Sequence, residues 1–263
     1  MLGPRGTGKS HWLKNCFKPE LTIDLLRSKT YLELSSDPSK LRSQVEALPF
    51  GSKIVIDEVQ KLPALLDEVH SLIFDYKEKY QFALTGSSAR KLKKQKANWL
   101  AGRAINYTFF TLTCVELEKD FRIDQILQFG SLPEICTSKN NQDKEDYLMA
   151  YIDNYLKEEI QQEAAARNLQ SYHRFLTHAA LMNGQVVNLN NISREAGVNR
   201  QTVEGYFQVL QDTLLGQIVE PILLKAKIKE VSTPKFYFFD CGVVRALQNN
   251  FDEVLGADKG YLF

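Results

Sequence analysis

The residues with the clearest chemical potential open the chain: Gly3-Pro4-Arg5-Gly6-Thr7-Gly8-Lys9-Ser10 fits the pattern G-x-x-x-x-G-K-[ST]. Small residues at this spacing let successive backbone N–H groups turn inward onto an anion. Lys9 then brings an ammonium to the β- and γ-phosphates, and the Ser10 hydroxyl enters the shell of a Mg2+ ion. His11 and the residues behind it begin a helix whose positive end faces the same anion. The competing reading is an ordinary glycine-rich turn. A second chemical group lies in "KIVIDEVQK", where Ile54, Val55 and Ile56 run directly into Asp57 and Glu58. This reads as a buried parallel strand ending in two carboxylates, or as a strand capped by solvated acids. In the first reading Asp57 holds Mg2+ through water and Glu58 polarises the attacking water. A third strand, in "YQFALTGSSARKL", ends in the hydroxyls of Thr85, Ser87 and Ser88. These reach a γ-phosphate or the lytic water, although a hydroxyl-rich turn needs no ligand to explain it. The loop and the carboxylate strand are about fifty residues apart, the spacing that intervening βα units require, and together they predict binding of ATP or GTP.

These groups need elements to position them. "LTIDL" around Ile23 to Leu25 and "TYLELS" around Tyr31 to Leu34 suggest a short strand pair, or one strand with its lead-in. "PSKLRSQVEALP" reads as a helix between two prolines. Leu65, Leu66, Val69, Leu72, Ile73 and Tyr76 recur at helical intervals, a core-facing helix crossing over to the third strand. "INYTFFTLTCVEL" is a last strand-like stretch. Further on, Leu148, Tyr151, Ile152, Tyr155, Leu156 and Ile160 form one stripe of a long amphipathic helix. A helix-turn-helix follows, with Ile192 to Ala196 first, Gly197-Val198-Asn199 as the turn and Thr202 to Leu210 second. The aromatic run Phe236 to Phe239 suits a wing strand.

Composition bounds the partners. With 263 residues, 44% of them hydrophobic, the chain buries a substantial core in two or three domains. A formal net charge of +1 gives no global steering toward nucleic acid. Cys16, Cys114, Cys136 and Cys241 are scattered without a C-x-x-C pair, which predicts buried free thiols. No apolar run reaches the length of a membrane span and the first residues are a phosphate loop rather than a leader, so the expectation is a cytoplasmic protein with no membrane partner.

Five segments in order, "GPRGTGKSHWLK", "IVIDEVQKLP", "FALTGSSARKL", "NWLAGRA" and "GSLPEI", resemble the prokaryotic AAA-type ATPases that pair an ATPase module with a winged-helix segment and a C-terminal nuclease-like domain. The resemblance covers essentially the whole chain. It implies an α/β fold: a P-loop NTPase with a three-layer α/β/α parallel sheet, AAA-like, in strand order 5-1-4-3-2. A helical lid and a winged-helix domain follow. It implies ATP and Mg2+ as ligands, with Gly3, Pro4, Arg5, Gly6, Thr7, Gly8, Lys9, Ser10 and His11 around the nucleotide and Ser10 and Asp57 on the metal. Lys9, Glu58, Thr85, Ser87 and Arg103 form the catalytic set. Arg103, in "LAGR", is placed to contact the γ-phosphate in cis or across the interface of a homo-oligomer, with Arg90 as its competitor and a surface ion pair as the alternative. The implied domains are 1–112 for the ATPase core, 113–140 for the lid, 141–248 for the helical and winged-helix part, and 249–263 for the start of a further domain. Two departures stand out: Met1-Leu2 is short for the strand that enters a phosphate loop, and Phe263 precedes any nuclease-like domain. The expectation is a chain shortened at both ends, with no nuclease chemistry of its own.

Two functions from different classes follow. One is an ATPase, hydrolysing ATP to ADP and phosphate, whose cycle rearranges the attached helical parts. The other is a DNA-binding or protein-interaction module on an inactive nucleotide fold. DNA has two candidate contacts: Arg200, Gln201, Thr202 and Glu204 on the second helix of the helix-turn-helix, and the basic run 90–103 with Trp99. The first is poor in positive charge and suits a packing role better; the second reads equally as solvated charge.

Overall fold

The structure, a computed structural model, describes residues 1–87, 104–156, 169–221 and 233–262. The chain divides into two compact units, Met1–Phe109 and Phe110–Phe263.

The first unit is built on three parallel strands, β1 (Leu21–Asp24), β2 (Lys53–Asp57) and β3 (Gln81–Leu84), in the order β1-β2-β3. The register places Ile23 opposite Ile56 and Ile56 opposite Leu84, so the strands finish level with one another. Alternation explains the composition of β2: Ile54 and Ile56 join one core while Val55 is buried on the other face. That core also takes Leu34 from α2 (Ser28–Ser36), Leu41 and Val45 from α3 (Lys40–Glu46), and Leu65, Leu66, Val69 and Leu72 from α4 (Leu65–Tyr76). The short helix α1 (Lys9–Trp12) precedes all of these and continues into a π-helical turn, Leu13–Phe17.

The sheet does not end at β3. Leu2 makes parallel bridges to Gly86 on one side and Thr108 on the other. The Leu2 N–H donates to Tyr107 O at 2.9 Å and its carbonyl accepts from Phe109 N at 2.7 Å. Met1 is tied in as well, its amine donating to Leu84 O at 2.7 Å and its carbonyl accepting from Gly86 N at 3.2 Å. Numbered along the chain, the five segments lie in the order 5-1-4-3-2. Met1 and Leu2 thus hold the base of the phosphate loop between two neighbours.

Of the two readings for residues 23 to 34, a single strand forms rather than a pair, and the last strand-like stretch is short. Tyr31 to Leu34 is helical, within α2, and only Leu34 of this stretch is buried. A single inward residue per turn satisfies a helix; a strand in the sheet would have to bury alternate ones. The stretch from 104 to 110 is extended and, among the described residues, pairs at the bridge between Thr108 and Leu2; its continuation is α5 (Cys114–Leu117). Thr113 and Glu116 explain the switch: they form a reciprocal capping box that fixes a helix start there.

Among its described residues the second unit is helical with one antiparallel strand pair. Its helices are α5, α6 (Ile123–Phe129), α7 (Pro133–Thr137), α8 (Asn141–Ala150), α9 (Leu169–Leu181), α10 (Leu189–Ala196), α11 (Arg200–Asp212), α12 (Cys241–Leu247) and α13 (Gly256–Leu262). Strands β4 (Gly216–Val219) and β5 (Lys235–Phe238) pair antiparallel between α11 and α12. Tyr172, Phe175, Tyr206, Phe207, Phe236 and Phe238 fill the centre, with neighbouring rings mostly about 5 Å apart, as Tyr172–Tyr206 at 4.7 Å and Phe207–Phe236 at 4.9 Å. Phe129, Leu132 and Ile135 belong to this same core, so the residues expected as a separate lid are built into the second unit. Leu148, Tyr151 and Ile152 are buried as the stripe predicts, and the helix passes into a π-helical turn at Tyr151–Leu156. Leu262 also packs on this core, and the Cys241 thiol donates to its carbonyl at 3.1 Å. All four cysteines are free, but Cys16 and Cys114 are exposed rather than buried. Among the described residues no helix is long and apolar enough to cross a membrane.

Candidate functional site

The site lies at the carboxyl ends of β2 and β3, beside the loop that leads into α1. Two left-handed glycines shape that loop, Gly6 at φ 76° and Gly8 at φ 87°, conformations that a side chain disfavours. Gly8 also stands directly before the first helical residue, so the loop delivers its backbone to a helix start. Lys9 is buried and folded back on the loop: its ammonium donates to the carbonyls of Gly3 and Pro4, each at 2.7 Å. The Thr7 hydroxyl donates to the same Pro4 carbonyl at 2.9 Å. Gly6, Ser10 and His11 are exposed around this knot, while Arg5 is half-buried.

The carboxylates meet the loop through Ser10. Its hydroxyl donates to Asp57 Oδ2 at 3.1 Å, joining residues 47 apart in sequence. The other Asp57 oxygen accepts from the Thr85 hydroxyl, and Thr85 Oγ1 in turn accepts from Glu58 N at 3.2 Å. The Thr85 backbone completes the clasp: its N–H donates to Ile56 O at 3.0 Å and its carbonyl accepts from Val59 N at 2.9 Å. Glu58 itself has φ 59°, an unusual backbone for a residue with a side chain, and it starts the 3-10 turn Val59–Lys61. It is 7% exposed, and its carboxylate accepts hydrogen bonds from Gln60 Nε2 and, at 3.4 Å, from Ser87 Oγ.

The structure thus brings together Lys9, Ser10, Asp57, Glu58, Thr85 and Ser87. Ser88, Arg90, Arg103 and the rest of the basic run lie outside the described residues. Thr85 and Ser87, which the sequence offers as contacts to a γ-phosphate or the lytic water or as an ordinary turn, are buried and spend their hydroxyls on Asp57 and Glu58. In this arrangement they act on the carboxylates. Gln60 was not singled out by its sequence position; the signal available was a polar residue inside "IDEVQ", two places after Glu58.

For a metal, the donor set is a hydroxyl and a carboxylate already within 3.1 Å of each other, both hard oxygen ligands of the kind Mg2+ takes alongside phosphate and water. Among the described residues no cluster of three His, Cys, Asp or Glu side chains offers a metal cage independent of a ligand.

Comparison with known proteins agrees with this geometry. Residues 1–118, a little under half of the chain, match a family described as "AAA domain". Residues 120–254, just over half of the chain, match a family described as "Domain of unknown function (DUF8612)", and the chain belongs to that family. Two uncharacterized proteins, one of Mycobacterium bovis and one of Mycobacterium tuberculosis, are each 25% identical over 250 residues. The alignment covers 94% of this chain and 55% of each relative, so the chain spans about half the length of the curated relatives it matches.

Proposed function

We propose that the first unit binds ATP with Mg2+ and hydrolyses it to ADP and phosphate. The observation that carries this reading is the Ser10–Asp57 hydrogen bond at 3.1 Å, which sets the end of the phosphate loop against the end of the carboxylate strand. Loop N–H groups from Gly6 to Ser10 and the start of α1 receive the phosphates. Lys9 exchanges the two carbonyls of its own loop for phosphate oxygens, a stronger, charge-assisted pairing. Ser10 and Asp57 would hold Mg2+, which when bound neutralises charge on the phosphates. Glu58 orients the attacking water and accepts its proton, with Thr85 and Ser87 fixing the two carboxylates. Arg103 completes the set as the arginine contacting the γ-phosphate, in cis or from a second copy.

The second unit supports a winged-helix reading. Helices α10 and α11 are joined through Gly197 at φ 68° and followed by the β4–β5 strand pair. We assign it a packing rather than a DNA-reading role. Val203, Tyr206, Phe207 and Leu210 of α11 face the core, and on its outer side Arg200 is paired with Glu204 at 2.9 Å. Phosphate release by the wild type and by Lys9→Ala, with Mg2+ present, tests the hydrolytic reading; equal rates would refute it.

A further inference from the structure

Gln60 is a buried polar residue that the hydrolytic scheme leaves without a task. It is 5% exposed, and its Nε2 donates both to the Glu58 carboxylate and to Ser87 Oγ, the latter at 3.1 Å. Ser87 donates to that same carboxylate, so three side chains from two strand ends close a ring. The remaining polar atom of Gln60, Oε1, is buried without a partner among the described residues. A buried amide with an unpartnered acceptor is disfavoured against an apolar side chain of similar size, so packing alone does not account for it. Two backbone features make the placement possible. Left-handed Glu58 turns the chain so that residue 60 returns to the side chain of residue 58. Gly86 leaves the room, since a Cβ there would stand 2.5 Å from Gln60 Oε1.

We infer that Gln60 is a positioning residue for Glu58: it fixes the orientation of that carboxylate and ties it to Ser87 in the turn after β3. The inference rests on reading Glu58 as the group that orients and deprotonates the attacking water. Gln60 needs no contact with the nucleotide. Its contribution is angular, because a base displaced by a fraction of its own length loses the alignment that makes proton transfer efficient.

The test combines a kinetic cycle with a spectroscopic arm that needs no turnover. Gln60→Leu should lower kcat for ATP about tenfold or more, while KM stays within about twofold, as expected for lost alignment rather than lost binding. In a Glu58→Ala background the same substitution should do nothing further, whereas damage to the fold would persist there. Gly86→Ala, which displaces the end of Gln60 without changing it, should lower kcat as Gln60→Leu does and covers the case in which Gln60→Leu folds poorly. Separately, the side-chain amide resonances of Gln60 should shift in Glu58→Ala and in Ser87→Ala. Unchanged kcat in Gln60→Leu, or losses that multiply in the double variant, would overturn the proposal. Amide resonances that ignore both substitutions would overturn it as well. A wild type that fails to turn over ATP defeats the hydrolytic reading instead, and the resonances then decide the Gln60–Glu58 link by themselves.

Discussion

Two sets of polar side chains, one in each unit, are partnered in opposite ways. In the first, buried Glu58, Gln60, Thr85 and Ser87, with half-buried Asp57 and exposed Ser10, bond chiefly to one another, joining segments 27 to 47 residues apart. In the second, the buried side chains of Asp240 and Asn183 serve the backbone. Asp240 accepts from the N–H groups of Ser131 at 2.8 Å and Val243 at 3.1 Å; Asn183 accepts from Phe238 N and donates to Tyr261 O. Side chains that satisfy free N–H and C=O groups at helix and strand ends stabilise a fold. Side chains that satisfy each other at strand ends, beside an anion-binding loop, hold a constellation ready. The contrast teaches that burial alone does not mark a site; the identity of the partner does.

If that distinction holds, substitutions in the strand-end cluster of the first unit should change activity more than stability, and those in the core of the second the reverse. The largest effect is expected for Glu58→Ala, with turnover reduced about a hundredfold or more and ATP affinity retained, read by phosphate release and by calorimetry. Next is Phe175→Ala, which empties the centre of the aromatic core and should cost about 3–5 kcal/mol in chemical denaturation followed by far-UV circular dichroism. Its nucleotide affinity should be unchanged, and an altered affinity would blur the division between the units.

Asp240 supplies a pH-dependent version of the same comparison. Burial pushes its carboxyl up to about 6 from 3.8, against hydrogen bonds from Ser131, Val243 and Gly242 that pull it down. The folded form therefore holds a proton that the unfolded chain has released between these values. Its contribution to stability is full below about pH 4, falls as pH rises, and is lost above about pH 6. Denaturation across this range should show that decline in the wild type relative to Asp240→Asn, by about 2–3 kcal/mol. Identical pH profiles would remove Asp240 from the account. The smallest effect is expected at Arg42, whose guanidinium bridges Asp75 at 2.9 Å and Glu46 at 3.4 Å on the surface of the first unit. Arg42→Ala should cost about 1 kcal/mol or less and leave turnover alone.

Much of the first unit was legible because its signals are local. The β-branched run Ile54-Val55-Ile56 ending in acids gave β2, the apolar run Phe82-Ala83-Leu84 ending in hydroxyls gave β3, and the spacing of Leu65, Val69 and Leu72 gave α4. What escaped depends on backbone turns and distant partners. Tyr31 to Leu34 alternates like a strand yet is held as a helix by one buried leucine. Gln60 follows a strand by alternation only until Glu58 adopts a left-handed backbone, which no periodicity encodes. The support of the loop escaped for a related reason: "ML" is too short to register as a strand, but Leu2 is paired on both sides. The place of "GSLPEI" in the second core depends on Asp240, 109 residues away from Ser131.

The central claim is that the loop and the carboxylate strand form one Mg2+-dependent ATP site. Calorimetric titration with a non-hydrolysable ATP analogue, with and without Mg2+, in the wild type and in Lys9→Ala, tests it most directly. Binding should be saturable and tighten with Mg2+ in the wild type, and weaken at least about tenfold in Lys9→Ala. Absence of binding at millimolar analogue, or equal binding by both proteins, would contradict it.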